Sequence, residues 1–241
     1  MLASPILRIP LALASSYIAQ RSSTPPNPPA EVVERQKYHA KDTSTDTLGS
    51  ILWWWLPSYW ITLHFISFLE IYTILQAEIP ILPRPPTLLL PLATERGQLR
   101  LSMVAAAGIL FASVGYNIRM SAVRHLGRQF TFELSIQSKH KLVTDGLYSL
   151  VRHPGYLGAI TICCGNVVFQ MGPGSVCLER GLWHAALGRV VGVFWIFLNI
   201  AVSSIMAFRT ASEDAALRRQ FPEEWDVWAA KTPYRLIPGI Y

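Results

Sequence analysis

Charge is what this sequence has least of. Only 15% of its 241 residues are Asp, Glu, Lys or Arg, where a soluble domain carries roughly 25%. Beside 51% apolar residues and a mean hydropathy of +0.30, that shortage excludes disorder over most of the chain. It also argues against a soluble enzyme. Cysteine is scarce as well. There are three, two of them adjacent at Cys163 and Cys164 inside an apolar run, which excludes a secreted disulfide scaffold. No CxxC pair is available for zinc, so the adjacent cysteines read as apolar packing. GxGxxG, Walker and HExxH motifs are missing, as are internal repeats and N-x-[ST] sequons. Acidic residues number 15 against 21 basic, a net charge of +6. Nucleic acid would suit that charge alone, but the apolar excess makes a lipid bilayer the better partner.

Long hydrophobic runs supply the organisation. Clear spans are Ile51 to Leu75, Leu101 to Ile118, Tyr156 to Met171 and Val190 to Phe208, each near the length that a roughly 30 Å hydrocarbon core requires. Trp53, Trp54, Trp55 and Trp60 crowd the first end of the first span, as an interfacial aromatic belt would. His64 and Glu70 lie inside it, six residues apart, too poorly spaced for a helical ligand pair. A structural hydrogen-bond role is expected for both. Residues 1–20 are mostly apolar, though Pro5, Arg8 and Pro10 interrupt them. They read as a further span rather than a signal-like segment. The expected fold is therefore all-α, a polytopic membrane bundle of about five helices. Residues 21–50 form a polar, proline-containing loop. Residues 79–93, with five prolines, form an irregular, partly embedded connection.

Orientation follows from the basic residues between the second and third spans: Arg119, Arg124, Arg128, Lys139, Lys141 and Arg152, opposed only by Glu133 and Asp145. The positive-inside rule puts this segment in the cytosol. Two crossings later the chain returns to the same side at Arg209, so the basic loop and the C-terminal tail can meet at one membrane face. Gly108, Ala112 and Gly115 are small residues at helical spacing and are expected to be helix packing. Asn117, Asn166 and Asn199 are expected to make structural bonds between helices.

Two polar clusters carry the candidate chemistry. The first runs from His140 to Gly158, where Gly146 permits a turn and Pro154 suits a helix start. That start offers N–H groups to an anion, with Arg152, His153 and Tyr156 around it. The second follows the last span, from Arg209 through Ser212, Glu213 and Asp214 to Leu217. Ser212 is expected to cap a new helix. A continued helix would instead put Arg209 and Glu213 on one face. Phe221, Trp225 and Trp228, set among Glu223, Glu224 and Asp226, predict a short amphipathic helix at the interface.

Together these clusters resemble the isoprenylcysteine carboxyl methyltransferase family. The motifs are His140-x-Leu142-Val143, Gly146-x-Tyr148, Arg152-His153-Pro154-x-Tyr156-x-Gly158 and Arg209-x3-Glu213-Asp214-x2-Leu217, with Phe221 and Trp225. They cover roughly the last half of the chain. Asp214 stands where the family usually has a second glutamate, and Trp225 where tyrosine is common. The resemblance implies a multi-pass enzyme of the endoplasmic reticulum membrane with its active site facing the cytosol. It would use S-adenosylmethionine to methylate the C-terminal carboxylate of prenylated proteins, its substrate partners, with no metal and no nucleic acid. The cofactor would lie in a C-terminal pocket, with no Rossmann domain. Residues 1–118 would be the N-terminal membrane region. Residues 119–241 would be the catalytic region, with a cofactor loop at 130–158, spans at 156–171 and 190–208, and C-terminal helices over 209–241. Cofactor contacts fall on His140, Lys141, Leu142, Val143, Tyr148, His153, Pro154, Gly155, Tyr156 and Glu213. Glu133 stands where a further polar contact would fall. Arg209 falls beside the reacting group, and Arg209 and Glu213 are the catalytic candidates.

The chemistry agrees with those residue types. A C-terminal carboxyl, with a pKa of about 3.3–3.7, is already ionised at neutral pH, so transfer to it needs aim and desolvation rather than a base. Two other readings remain. Related membrane enzymes that methylate phospholipid or small amines share the C-terminal pattern, and an ammonium acceptor would first have to lose a proton. A catalytically inactive membrane scaffold or channel-like protein would not need both clusters.

Overall fold

The computed structural model describes residues 4–27, 46–79, 81–83, 99–130 and 141–241. Every regular element among them is helical: α1 Arg8–Ser23, α2 Asp46–Glu78, α3 Met103–Leu126, α4 Pro154–Met171, α5 Ala186–Gln220 and α6 Pro222–Lys231, with short turns between. Most of the proline-rich stretch 79–93 lies outside the described residues, as do the side chains of Trp53 and Trp54.

Four helical segments are long and apolar enough to cross a membrane: Trp55–Glu78, Met103–Gln129, Pro154–Glu179 and Ala186–Gln220. They overlap the four clear runs of the sequence, the last two of which they contain whole. The helix over the first twenty residues is shorter. At 16 residues it is about 24 Å long, less than the hydrocarbon core. Its buried face is nevertheless unusually polar, with Ala12, Ile18 and Ala19 beside charged and hydroxyl side chains. Arg8, Ser15, Ser16 and Ser22 are buried, while Leu13 and Tyr17 are exposed.

The buried polar side chains of α1 meet specific partners. Arg8 pairs with Glu70 through Nε, and its Nη2 donates to the Phe169 carbonyl at 3.0 Å. Both members of the ion pair are almost wholly buried. A buried charge needs such a partner, because leaving either alone costs about 3–5 kcal/mol. Glu70 thus has the structural role expected of it, whereas His64 faces outward. Ser15 donates to Asn166 Oδ1 at 2.9 Å, and Ser16 and Ser67 bond at 3.0 Å. Tyr59 links Asn166 and Asn199 through its hydroxyl, at 3.5 and 3.4 Å. Asn117 departs from expectation. It is exposed and donates only to Ser113 of its own helix.

The tightest packing is between α3 and α4. A Cβ placed on Gly165 would lie 2.5 Å from the Ala112 nitrogen and 2.6 Å from the Gly108 carbonyl oxygen. One on Gly158 would lie 2.6 Å from both the Gly115 oxygen and the Arg119 nitrogen. Glycines at 108, 115, 158 and 165 therefore let two backbones touch. The small residues of α3 are packing residues, as their spacing predicts, and Gly158 of the first polar cluster is one too.

The two ends of the last long run differ from expectation. Ser212 caps no new helix. α5 continues unbroken to Gln220, because residues 209–220 contain neither glycine nor proline to stop it. Pro222 disfavours helical backbone at the residue before it, and α5 ends there. Its 35 residues span about 52 Å, longer than a hydrocarbon core of roughly 30 Å, and its last turns carry Arg209, Glu213 and Asp214. α6 is not simply interfacial. Trp228 turns inward, packing with Ala122 and Tyr148 and donating to the Tyr148 carbonyl at 2.9 Å.

Candidate active site

The two polar clusters meet where α4 begins and the last turns of α5 pass it. Pro154 occupies the first turn of α4, and His153 caps it with φ −125° and ψ 61°. The His153 side chain makes no cap. It turns instead to α5, where Nε2 lies 3.0 Å from Asp214 Oδ1. One turn along, the Tyr156 hydroxyl donates to Glu213 Oε2 at 2.5 Å. The His153 and Tyr156 rings stack, with centroids 5.6 Å apart and planes 12° from parallel. Two rungs therefore join the helices, His153–Asp214 and Tyr156–Glu213.

Arg209 lies one turn before Glu213 on the same helix. It is 8% exposed, and its charge acts on the Tyr156 hydroxyl. Arg119 also acts on Tyr156. The sequence counted Arg119 as a loop charge, but it sits inside α3, 3% exposed. Its Nε donates to the Ser22 carbonyl at 2.6 Å and its Nη1 to the Gly155 carbonyl at 2.9 Å. Those two acceptors, at the end of α1 and the start of α4, make burial of a guanidinium tolerable. Tyr148 packs beneath, between Ala122 and Trp228. Burial and the Glu213 carboxylate push its phenol well above the ordinary tyrosine range, so it stays neutral.

Most candidate residues converge here. Tyr148, His153, Pro154, Tyr156, Arg209 and Glu213 share one region, and the Gly155 carbonyl faces Arg119. Leu142 and Val143 pack on the Tyr148 cluster. Lys141 is exposed, its N–H donating to Gln129 Oε1 at 2.6 Å. His140 and Glu133 lie outside the described residues. The N–H groups of Arg152 and His153, just before α4 begins, are taken up within the protein. They donate to the Tyr234 and Arg235 carbonyls, each at 2.9 Å, because the C-terminal tail folds back along the start of α4. Asp214 and Arg235 were not singled out as site residues from the sequence. Arg235 lies 21 residues beyond Asp214, and no spacing rule connects an irregular tail to a helix. No cluster of metal-ligating side chains occurs among the described residues.

Helices alone among the described residues, four of them long and apolar enough to cross a membrane, with charged side chains gathered beside them, define a polytopic membrane type of protein. Residues 107–219, just under half of the chain, match the isoprenylcysteine carboxyl methyltransferase family. The chain is 37% identical over 90 residues to a probable protein-S-isoprenylcysteine O-methyltransferase of Oryza sativa subsp. indica, covering 36% of this chain and 47% of that protein. It is 36% identical over 90 residues to protein-S-isoprenylcysteine O-methyltransferase A of Arabidopsis thaliana, covering 36% and 46%. With the protein-S-isoprenylcysteine O-methyltransferase of Schizosaccharomyces pombe it shares 24% identity over 134 residues, covering 55% and 49%. The match thus spans about half the length of these curated relatives.

Proposed function

We propose that this protein esterifies the C-terminal carboxylate of prenylated cysteine with a methyl group from S-adenosylmethionine. The observation that carries this reading is the meeting of Arg209, Glu213, Tyr156 and His153 between α4 and α5, within the segment that matches the family. The donor set fits the cofactor. A carboxylate suits its ammonium, cationic and imidazole groups suit its carboxylate, and the Tyr148 and Tyr156 rings suit its adenine or sulfonium. When bound, it supplies an electrophilic methyl.

The protein's own work is placement. Glu213, Tyr156 and His153 form the cofactor wall. Arg209 holds the acceptor carboxylate by two parallel hydrogen bonds and stays protonated throughout. The acceptor is already an anion, so no proton has to be moved. Burial of Arg209 excludes water from the anion and fixes its approach, which lowers the barrier by several kcal/mol. The prenyl chain enters sideways from the bilayer. The site faces the cytosol at the endoplasmic reticulum membrane.

Incubating membranes with labelled S-adenosylmethionine tests the reading. Label should enter a farnesylcysteine analogue. Transfer only to phosphatidylethanolamine would make the protein an amine methyltransferase, and transfer to neither would remove the activity. His153→Ala and Glu213→Ala should each weaken cofactor binding by about ten- to a hundredfold, the loss of one charge-assisted hydrogen bond worth about 1.5–3 kcal/mol. Calorimetry on the detergent-solubilised protein measures it, and unchanged affinity in both variants would move the pocket elsewhere. For topology, exposed Lys141 and Lys231 should both react with an impermeant amine reagent from the cytosolic side of sealed vesicles. Protection of one alone would refute the shared face.

A further inference from the structure

We infer that Arg235 is a positioning residue for this site, and that the C-terminal tail is a strap setting the orientation of His153. The inference rests on the methyltransferase reading above.

Asp214 is the point where three parts of the chain converge. It is 4% exposed, and it belongs to α5. Its Oδ1 faces His153 Nε2 at 3.0 Å, and its Oδ2 faces Arg152 Nη1 at 3.2 Å and Arg235 Nε at 3.0 Å. Arg152 and His153 precede α4, whereas Arg235 comes from the tail beyond α6. Residue 235 grips His153 from both ends. Its carbonyl accepts the His153 N–H at 2.9 Å, and its guanidinium holds the carboxylate on which the His153 ring rests. Further bonds fasten the same strap. The Tyr234 carbonyl takes the Arg152 N–H at 2.9 Å, the Pro233 carbonyl takes Arg152 Nη2 at 3.1 Å, and Thr232 donates to the Ser149 carbonyl at 3.3 Å. Arg235 Nη1 donates to the Tyr241 hydroxyl at 3.0 Å.

The consequence for the site is mechanical and electrostatic. Asp214 is next to Glu213 on α5, and His153 is one turn from Tyr156 on α4. The His153–Asp214 rung therefore sets the spacing at which the Tyr156–Glu213 rung forms. Asp214 carries one negative charge among two guanidinium groups and an imidazole. Removing Arg235 leaves the carboxylate to Arg152 and His153, takes one of the two guanidinium partners from its Oδ2, and unties the tail from α5. A buried hydrogen-bond network of this kind is coupled, so a loss at its edge is felt at its centre. The Arg235 side chain is 32% exposed, so truncating it leaves no buried cation behind.

The test uses the full chain in detergent, with calorimetric binding of S-adenosylhomocysteine and turnover of a farnesylcysteine analogue. Arg235→Ala should weaken S-adenosylhomocysteine binding about tenfold, while KM for the farnesylcysteine analogue changes less than twofold. Arg235→Lys, which keeps one donor toward Asp214, should recover most of the loss. Adding Arg235→Ala to Asp214→Asn should cost no more than Asp214→Asn alone, because the arginine acts through that carboxylate. Wild-type affinity in Arg235→Ala, or losses that add in the double variant, would overturn the inference. If Arg235→Ala does not fold, Tyr241→Phe replaces it. That change removes the hydroxyl anchoring Arg235 and should weaken binding about two- to threefold, and unchanged binding would overturn the inference equally. A wild-type protein that binds no S-adenosylhomocysteine would instead defeat the methyltransferase reading itself.

Discussion

Arg209→Lys is expected to lose about a hundredfold in kcat on a prenylcysteine substrate, with the charge retained. Lysine presents a point charge on a flexible stem, whereas arginine presents a planar fork that meets both carboxylate oxygens. The acceptor needs no activation by a base, so its aim at the methyl is what the side chain contributes. A misplacement of about 1 Å can cost that much rate. The loss should fall on turnover, because the two-point grip matters most as the new bond forms. Arg209→Ala should lose more, since the anion then has neither fork nor charge opposite it. S-adenosylhomocysteine affinity should change less in either variant than in Glu213→Ala. Steady-state kinetics beside calorimetry separates these effects. Near-normal turnover in Arg209→Lys would sink the two-point model, and full activity in Arg209→Ala would take Arg209 out of the chemistry.

Gly165→Ala should destabilise the fold, against its own helix propensity. Alanine is favoured over glycine in a helix by about 1 kcal/mol. At 165, however, the new methyl meets backbone atoms of α3 at 2.5 and 2.6 Å, and backbone cannot rotate aside. The helices must separate, which costs about 1–3 kcal/mol or more and loosens contacts along the whole seam. Gly158→Ala should behave alike, with three α3 atoms within 2.8 Å of its Cβ. Gly155 on the same helix provides the contrast. Its Cβ would meet only Ala122 Cβ, at 3.9 Å, so Gly155→Ala should hold or raise thermal stability. Apparent melting of the three variants in one detergent decides the matter. A Gly165→Ala protein as stable as Gly155→Ala would mean that the close approach of α3 and α4 does not form.

The sequence by itself determined the helices and the choice of solvent. In lipid the backbone is satisfied in helices or closed barrels, runs of about twenty apolar residues are the length of a helix rather than a barrel strand, and the structure has four such helices. The sequence also set the two polar clusters beside those runs, and α5 continues unbroken through the second one. Tertiary structure decided where buried charges found their partners. Arg8 is paired with Glu70, 62 residues away, and the run it interrupts becomes a short helix that buries polar side chains against the bundle. Arg119 reads as a loop charge until the carbonyls of Ser22 and Gly155 are brought to it. Ser212 looks like a cap only while the length of α5 is unknown. Asp214 and Arg235 meet because the tail folds back over the start of α4. Periodicity and spacing report neighbours along one helix, where geometry repeats every few residues. They carry no information on ion pairs across distant segments, where the cost of an unpaired buried charge selects the partner.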